Sequence, residues 1–430
     1  MAAKLQTYDR DLSRPTAGDR GQPSALRIVL GGRVQGLGVR PSVARLAHEL
    51  HLAGFVGNTS QGVSIHVEGR LASVTQFQRL LPQRLPPEAD IGCLTSEVAE
   101  WIGVSGFHID ASATCGPLAV CVPPDVAVCE QCLADVAASK NRRHGYLLTT
   151  CTVCGPRYSL IDSMPYDRVA TTMRQFALCP DCSQEYARPA DRRFHSQTNG
   201  CHACGPQLWL SDGAKRLALP ADAVVPRAVA ALRSGRILAV RGVGGYQLLV
   251  DATQPSAVRE LRRRKLRMGK PLAVMIADMA AADRLAVVGP VERHSLSGAQ
   301  NPIVVVHAKV PSDVAGEVTE GLNSLGLMLP TTALHAELAR ELGRPMVVTS
   351  GNREGDPLAF EADAARRDLA SVADVWLEHD RPIAQPIDDS VVRLIAGKPA
   401  TVRLGRGLAP LSLAVPTRPM LALGGHQKAG

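Results

Sequence analysis

Cys129-Glu-Gln-Cys132, Cys151-Thr-Val-Cys154-Gly-Pro156, Cys179-Pro-Asp-Cys182 and Cys201-His-Ala-Cys204-Gly-Pro206 are one unit written twice, 50 positions apart. The echo continues between the pairs, where Arg142-Arg143 recurs as Arg192-Arg193. A period held this closely marks an internal duplication. Each copy reads C-x2-C-x18-C-x2-C, so four thiolates arrive as two knuckles, the donor set that tetrahedral Zn²⁺ prefers. Gly155 and Gly205, just after the second knuckles, permit the positive φ that turns backbone N–H groups toward sulfur. The spacing predicts two structural zinc ions, one on Cys129, Cys132, Cys151 and Cys154, the other on Cys179, Cys182, Cys201 and Cys204. A crossed pairing of outer with inner knuckles stays open at this level. Redox sites and free core thiols are the rival readings, but redox motifs do not recur four times at matched loop lengths. Cys93, Cys115 and Cys121 lack the spacing and read as buried or incidental thiols.

Upstream, 26–30 is apolar and strand-like, and Pro41 opens a helix with Val43, Leu46, Ala47 and Leu50 on one face, which Gly54 ends. Strands at 55–59 and 63–67 flank the turn Ser60-Gln61-Gly62. A second helix covers 71–81 and stops at Pro82 and Pro86-Pro87. With a closing strand, the order is the βαββαβ of the ferredoxin-like unit. Between its first strand and first helix lies Gly32-Arg33-Val34-Gln35-Gly36-Leu37-Gly38-Val39-Arg40. Glycines there let consecutive N–H groups form an anion nest beside a helix N-terminus, and an arginine adds a planar fork. A plain tight turn is the bland alternative.

Beyond about residue 221, apolar strands at 237–240, 272–276, 303–307 and 346–349 alternate with helices at 228–232 and 332–342, an α/β pattern. Arg262-Arg263-Arg264-Lys265-Leu266-Arg267, continuing to Lys270, sets cations near a strand edge unless it is a solvated helix face. Thr349-Ser350-Gly351-Asn352 falls at a strand's C-terminal end, where open α/β sheets bind ligands. At ~150 residues per domain, 430 residues allow about three domains. The chain is therefore expected to be multidomain α+β and α/β. It divides into a disordered tail at 1–24, a ferredoxin-like βαββαβ domain at 25–112, tandem C4 fingers at 113–210, an α/β domain at 218–411 and a linker at 412–430.

Composition excludes several classes. Hydrophobic residues at 45% and charged residues at 20% are not those of a largely disordered chain. Aromatics at 3% leave the cores to Leu, Val, Ile and Ala. No apolar run approaches the ~18 residues that span a bilayer, and the polar N-terminus makes no signal peptide. A cytoplasmic protein with no membrane partner is expected. A net charge of +8 is mild for this length and not gathered as a general nucleic-acid binder requires, so nucleic acid is not expected as a partner.

The string Gly32-Arg33-Val34-Gln35-Gly36-x-Gly38-x-Arg40, with Gly57-Asn58, resembles the acylphosphatase signature. That resemblance implies that Arg40 holds phosphate and Asn58 positions the attacking water. Val39 departs from it, since an aromatic usually precedes the arginine. Lys265-x-Arg267-x-x-Lys270 with Ser350-Gly351-Asn352 resembles the YrdC-like family. This implies that Lys265, Arg267 and Lys270 neutralise ATP phosphates while Ser350 and Asn352 contact nucleotide or a small acid. His379-Asp380-Arg381-Pro382-Ile383 and Asp388-Asp389-Ser390-Val391-Val392-Arg393 match that family again, without assigned roles.

The three parts in this order resemble the HypF family, the carbamoyltransferases of nickel–iron hydrogenase maturation. Cys151-Thr-Val-Cys-Gly-Pro-Arg-Tyr158, Met164-Pro-Tyr-Asp-Arg168 and Asp191-Arg-Arg-Phe-His195 are the most specific stretches. The departures are Asn141-Arg-Arg-His-Gly145 and Leu404-Gly405 between Arg403 and Arg406. The resemblance implies hydrolysis of carbamoyl phosphate at the first site and, with ATP and Mg²⁺, formation of carbamoyl-adenylate at the second. A further transferase domain of the family passes the carbamoyl group to the C-terminal cysteine of a HypE-type partner, for cyanide-ligand synthesis. Leu421-Ala-Leu-Gly-Gly-His-Gln-Lys428 resembles the start of that domain, and no paired-histidine motif is present. Hydrolysis and adenylation are therefore expected of this chain, with transfer lost or supplied by another. Two rivals stand beside this reading. A zinc-finger RNA-binding or tRNA-modification factor of the YrdC type predicts salt-sensitive RNA affinity and no need for Arg40. A chaperone-like scaffold predicts binding without phosphate release.

Overall fold

A computed structural model describes residues 22–114, 117 and 119–411. Of the tail expected at 1–24, residues 1–21 lie outside the described residues, as do Cys115 and the stretch 412–430, whereas Pro23 and Ser24 already belong to a strand. The described residues form two compact units that divide between Gln207 and Leu208.

The first unit opens with β1 (Pro23–Arg33), α1 (Val39–Glu49), β2 (Ala53–Thr59), β3 (Gly62–Arg70), α2 (Leu71–Arg84), β4 (Asp90–Val98) and β5 (Phe107–Ile109). The sheet order is β4-β1-β3-β2-β5, the ferredoxin-like arrangement with one added edge strand. Only β5 pairs in parallel, on β2. Leu26, Ile28 and Leu30 alternate along β1 toward the core, where Val39, Val43, Leu46 and Ala47 of α1 meet them. Period 2 against period 3.6 is why this strand and helix bury one face each.

Two local expectations are corrected. Pro82 does not stop α2, which continues to Arg84. It is exposed in the last turn, where a missing N–H frees a carbonyl that water can reach. Gly54 does not end α1, which closes at Glu49; it lies in β2 at φ 133°, where a Cβ would sit 2.0 Å from the His66 carbonyl oxygen. Of the thiols read as buried or incidental, Cys93 is exposed and Cys121 is half-buried.

The duplicated module packs against α1 and the loop that precedes it. Its helices α3 (Glu130–Ala137) and α4 (Pro180–Ala187) each start immediately after the first cysteine of a copy. Phe194 joins the core beside α1, and Arg45 of α1 donates to the carbonyls of Pro189 (2.8 Å) and Asp191 (3.0 Å).

The second unit is built on a twelve-stranded mixed sheet. The expected strands are present within Leu238–Arg241, Ala273–Met275, Ile303–Ala308 and Met346–Ser350. Its parallel pairings are Ala273–Met275 with Ser324–Met328, Ile303–Ala308 with Val391–Ile395, and Val375–His379 with Leu238–Arg241; the rest are antiparallel. The basic run closes the helix Pro255–Lys265 and divides by burial, with Arg262 and Lys265 buried, Arg264 and Arg267 half-buried, and Arg263 and Lys270 exposed. Arg263 and Arg264 pair with Glu260 (2.7 and 2.6 Å), and buried Arg262 donates to the carbonyls of Glu317, Arg267 and Lys270. Among the described residues, no helix is long and apolar enough to cross a membrane.

Candidate functional site

The eight paired cysteines gather as two sets within copies, 129/132/151/154 and 179/182/201/204, the sulfurs of each set all lying within 4.8 Å. Neighbouring sulfurs are 3.5–3.8 Å apart in the first set and 3.7–3.8 Å in the second. Zn–S bonds of ~2.3 Å in a tetrahedron put sulfurs ~3.8 Å apart, so the donor set fits zinc in number, chemistry and span. These separations are far beyond the ~2.05 Å of a disulfide. The crossed pairing is excluded.

Arginines tie the copies together reciprocally. Arg142, in the first copy, donates to the sulfurs of Cys179, Cys182 and Cys201 at 3.4–3.6 Å. Its counterpart Arg192 donates to Cys132 at 3.2 Å. Arg143 pairs with Glu185 and donates to the Gly200 carbonyl; Arg193 pairs with Asp135 and donates to that of Thr150. Four thiolates around Zn²⁺ leave a net charge of −2, which these guanidiniums offset.

The first anion loop turns at Gly36 (φ 70°) and Gly38 (φ 86°), the latter capping α1. A Cβ at Gly36 would meet Pro123 at 2.7 Å and the Tyr166 ring at 3.2 Å, so a side chain has no room there. Arg40 and Asn58 are brought together: Arg40 Nη2 (3.2 Å) and Asn58 Nδ2 (2.9 Å) both donate to the Tyr166 carbonyl. Arg40 Nη2 also donates to Asp167 Oδ1 at 2.7 Å. Asn58 Oδ1 is buried without a partner. The finger module roofs this loop with Thr152, Arg157, Tyr166, His195 and Gln197, and Arg157 Nε donates to the Gly36 carbonyl at 2.5 Å. Burial, with Arg40 adding to it, pushes His195 down to about 4, so its imidazole is neutral near pH 7.

In the second unit a cavity of about 210 Å³ is lined by Arg267 and Ser350 among the expected residues. Lys265 is buried behind it. Its ammonium donates to the Ser350 carbonyl (2.6 Å), the Asn352 carbonyl (2.5 Å) and Asn352 Oδ1 (2.8 Å), while Ser350 Oγ donates to the same Oδ1 (2.6 Å). Lys265 and Asn352 thus hold the Ser350 turn rather than line the wall. Lys270 pairs with Glu354 at 2.8 Å. Further lining residues are Asp389, from the stretch that matched the YrdC-like family without an assigned role, and Gln247, Thr331, Arg403 and Arg406. Asp389 accepts from Gln247 Nε2 (2.8 Å) and Arg406 Nε (2.7 Å). Burial alone would raise its carboxyl, but Arg406 holds it below the usual range.

Beneath this wall His335 is fully buried, its Nδ1 2.8 Å from Thr332 Oγ1, and burial pushes it from 6.5 down to about 4. A depressed folded value means that the unfolded chain binds more protons below pH 6.5. The resulting stability is full above pH 6.5 and is lost as pH falls to about 4. We expect the unfolding midpoint of the second unit to drop across that window, and to drop less in His335→Gln. An identical slope in the variant would contradict this.

Family comparisons follow the same division. The model described as "HypF finger" matches 128–161 and 178–211, the model described as "Acylphosphatase" matches 26–109, and the Sua5/YciO/YrdC model, described as "Telomere recombination", matches 230–405. Carbamoyltransferase HypF of Synechocystis sp. is 42% identical over 404 residues, 93% of this chain and 52% of that protein. Carbamoyltransferase HypF of Rhodobacter capsulatus is 43% identical over 412 residues, 94% of this chain and 54% of that protein. The chain belongs to the HypF family. A crystal structure of full-length HypF in the phosphate- and nucleotide-bound form matches at a TM-score of 0.87 and 38% identity, over 90% of this chain and 51% of that one. The chain spans about half the length of the HypF relatives it matches. Its acylphosphatase, finger and YrdC-like parts are those of HypF, and its two four-cysteine centres in HypF fingers fit structural zinc. Tyr166, Asp167 and His195, which roof or touch the first site, come from two of the HypF-specific stretches, whose polar density was the available signal.

Proposed function

We propose that this chain performs the activating half of HypF chemistry. At the first site water attacks the phosphorus of carbamoyl phosphate, the bond from phosphorus to the carbamoyl oxygen breaks, and orthophosphate and carbamate leave. At the second site a carbamate oxygen attacks the α-phosphorus of ATP, brought with Mg²⁺, giving carbamoyl-adenylate and pyrophosphate. The destination is the C-terminal cysteine of a HypE-type partner in hydrogenase maturation. The zinc ions serve folding.

One observation carries the reading: Arg40 and Asn58 aim donors at a single oxygen, 3.2 and 2.9 Å away. That carbonyl holds the two side chains together: the Arg40 guanidinium brings its charge and further N–H donors to a phosphoryl oxygen, and Asn58 Oδ1, buried without a partner, can accept from the attacking water. The mixed anhydride is already activated, so positioning and charge neutralisation supply the catalysis. The cationic wall of Arg267, Arg403 and Arg406 supports a phosphate-bearing substrate at the second site. So does the solved HypF relative, which is a phosphate- and nucleotide-bound form.

The test is carbamoyl-phosphate-dependent exchange of pyrophosphate into ATP. Exchange is expected from the intact chain and should fall about a hundredfold or more in both Arg40→Ala and Arg267→Ala. Unchanged exchange in Arg40→Ala would detach the first site from the second, and exchange without carbamoyl phosphate would sink the order of steps.

A further inference from the structure

We propose that the Asp167 carboxylate is a built-in competitor for the anion position on Arg40, displaced when a phosphoryl group binds and returning as orthophosphate leaves. The proposal rests on the reading of the Gly36–Arg40 loop as a phosphoryl site. Asp167 belongs to the finger module, so the module would regulate a site it does not itself catalyse.

Three features carry it. First, both protons of Arg40 Nη2 are committed, one to Asp167 Oδ1 at 2.7 Å and one to the Tyr166 carbonyl at 3.2 Å. A carboxylate on a guanidinium is the same charge-assisted pairing that a phosphoryl oxygen makes. Second, the cavity between loop and roof is only about 20 Å³, room for one water and not for a phosphoryl group, so something must yield to substrate. Third, the two neighbours differ in freedom. Tyr166 is fully buried and its N–H donates to Gln35 Oε1 (2.9 Å), while Gln35 Nε2 is itself anchored on the carbonyls of Thr59 and Gly62, both at 2.8 Å. The Asp167 side chain is 22% exposed and can turn to water. A dianion arriving on Arg40 is repelled by that carboxylate, so swinging out is downhill. After hydrolysis the same repulsion speeds product departure.

Orthophosphate binding to the whole zinc-loaded chain, followed by calorimetry, tests this. Asp167→Asn keeps shape and an acceptor for Arg40 but removes the charge. It should tighten orthophosphate about tenfold and lower KM for carbamoyl phosphate in step. Asp167→Glu keeps the charge and should bind orthophosphate as the parent does. Unchanged or weaker binding in Asp167→Asn, or a fall in kcat with KM unmoved, would overturn the competitor role and make Asp167 a brace for Arg40. Should Asp167→Asn not fold, weaker or equal orthophosphate binding by Asp167→Ala overturns it equally. A parent chain that binds orthophosphate but releases none from carbamoyl phosphate counts against the proposed function alone, since the calorimetric comparison still decides the role of Asp167.

Discussion

Arg40→Ala is expected to release orthophosphate from carbamoyl phosphate at least about a thousandfold more slowly than the parent, the upper range for deleting one preorganised donor from a charge-developing centre. Arg40 stands at the end of the anion nest, 7% exposed, and shares its acceptor with Asn58. Alanine removes the charge and the fork together, leaving Asn58 to hold its oxygen alone. Lysine restores the charge without the planar pair of donors and should recover only part of the rate. Orthophosphate release under saturating substrate is the measurement. A variant within tenfold of the parent would mean that hydrolysis happens elsewhere.

The second large effect comes from a residue that touches no substrate. Cys154→Ser should remove zinc from the first centre and abolish phosphate release as well. Closed four-thiolate centres couple ~10–16 kcal/mol of binding to folding, comparable with or above the ~5–15 kcal/mol that holds a whole domain. The consequence is unfolding of the module rather than a weakened one. Thr152 and Arg157, two residues before and three after Cys154, help roof the first site, and Arg157 donates to the carbonyls of both Cys154 (3.0 Å) and Gly36 (2.5 Å). Because Arg192 reaches Cys132, the second centre should loosen too. Zinc content should therefore drop below one ion per chain. One retained ion together with parental phosphate release would refute this coupling.

Local chemistry was legible in the sequence. The knuckles declare their metal because each pair lies three positions apart, and the anion loop is readable because nest, helix start and Arg40 are contiguous. What escaped depends on packing across distance. Asp167 lies 127 positions from Arg40, and no local periodicity links them. Lys265 and Arg267 look equivalent as two cations two positions apart, yet Leu266 between them adopts φ 59°. That left-handed step turns Lys265 into the Ser350 turn and leaves Arg267 on the cavity wall. Arg403 and Arg406 reach the same wall from near the end of the described chain, which spacing alone could not announce. The mixed pairing of the second sheet was equally hidden, since an apolar strand reads alike whichever way its neighbour runs.

The exchange of guanidiniums between the two copies has one more implication. Contacts in which copy one grips copy two with the residues that copy two uses in return are the grammar of isologous self-association. Arg142 on Cys182 and Arg192 on Cys132 obey it to the residue, as do Arg143 on Glu185 and Arg193 on Asp135. A solitary copy would be left with an uncovered dianion and would have to seek another molecule of itself. This stretch carries the two-fold contact pattern of a dimer within one polypeptide.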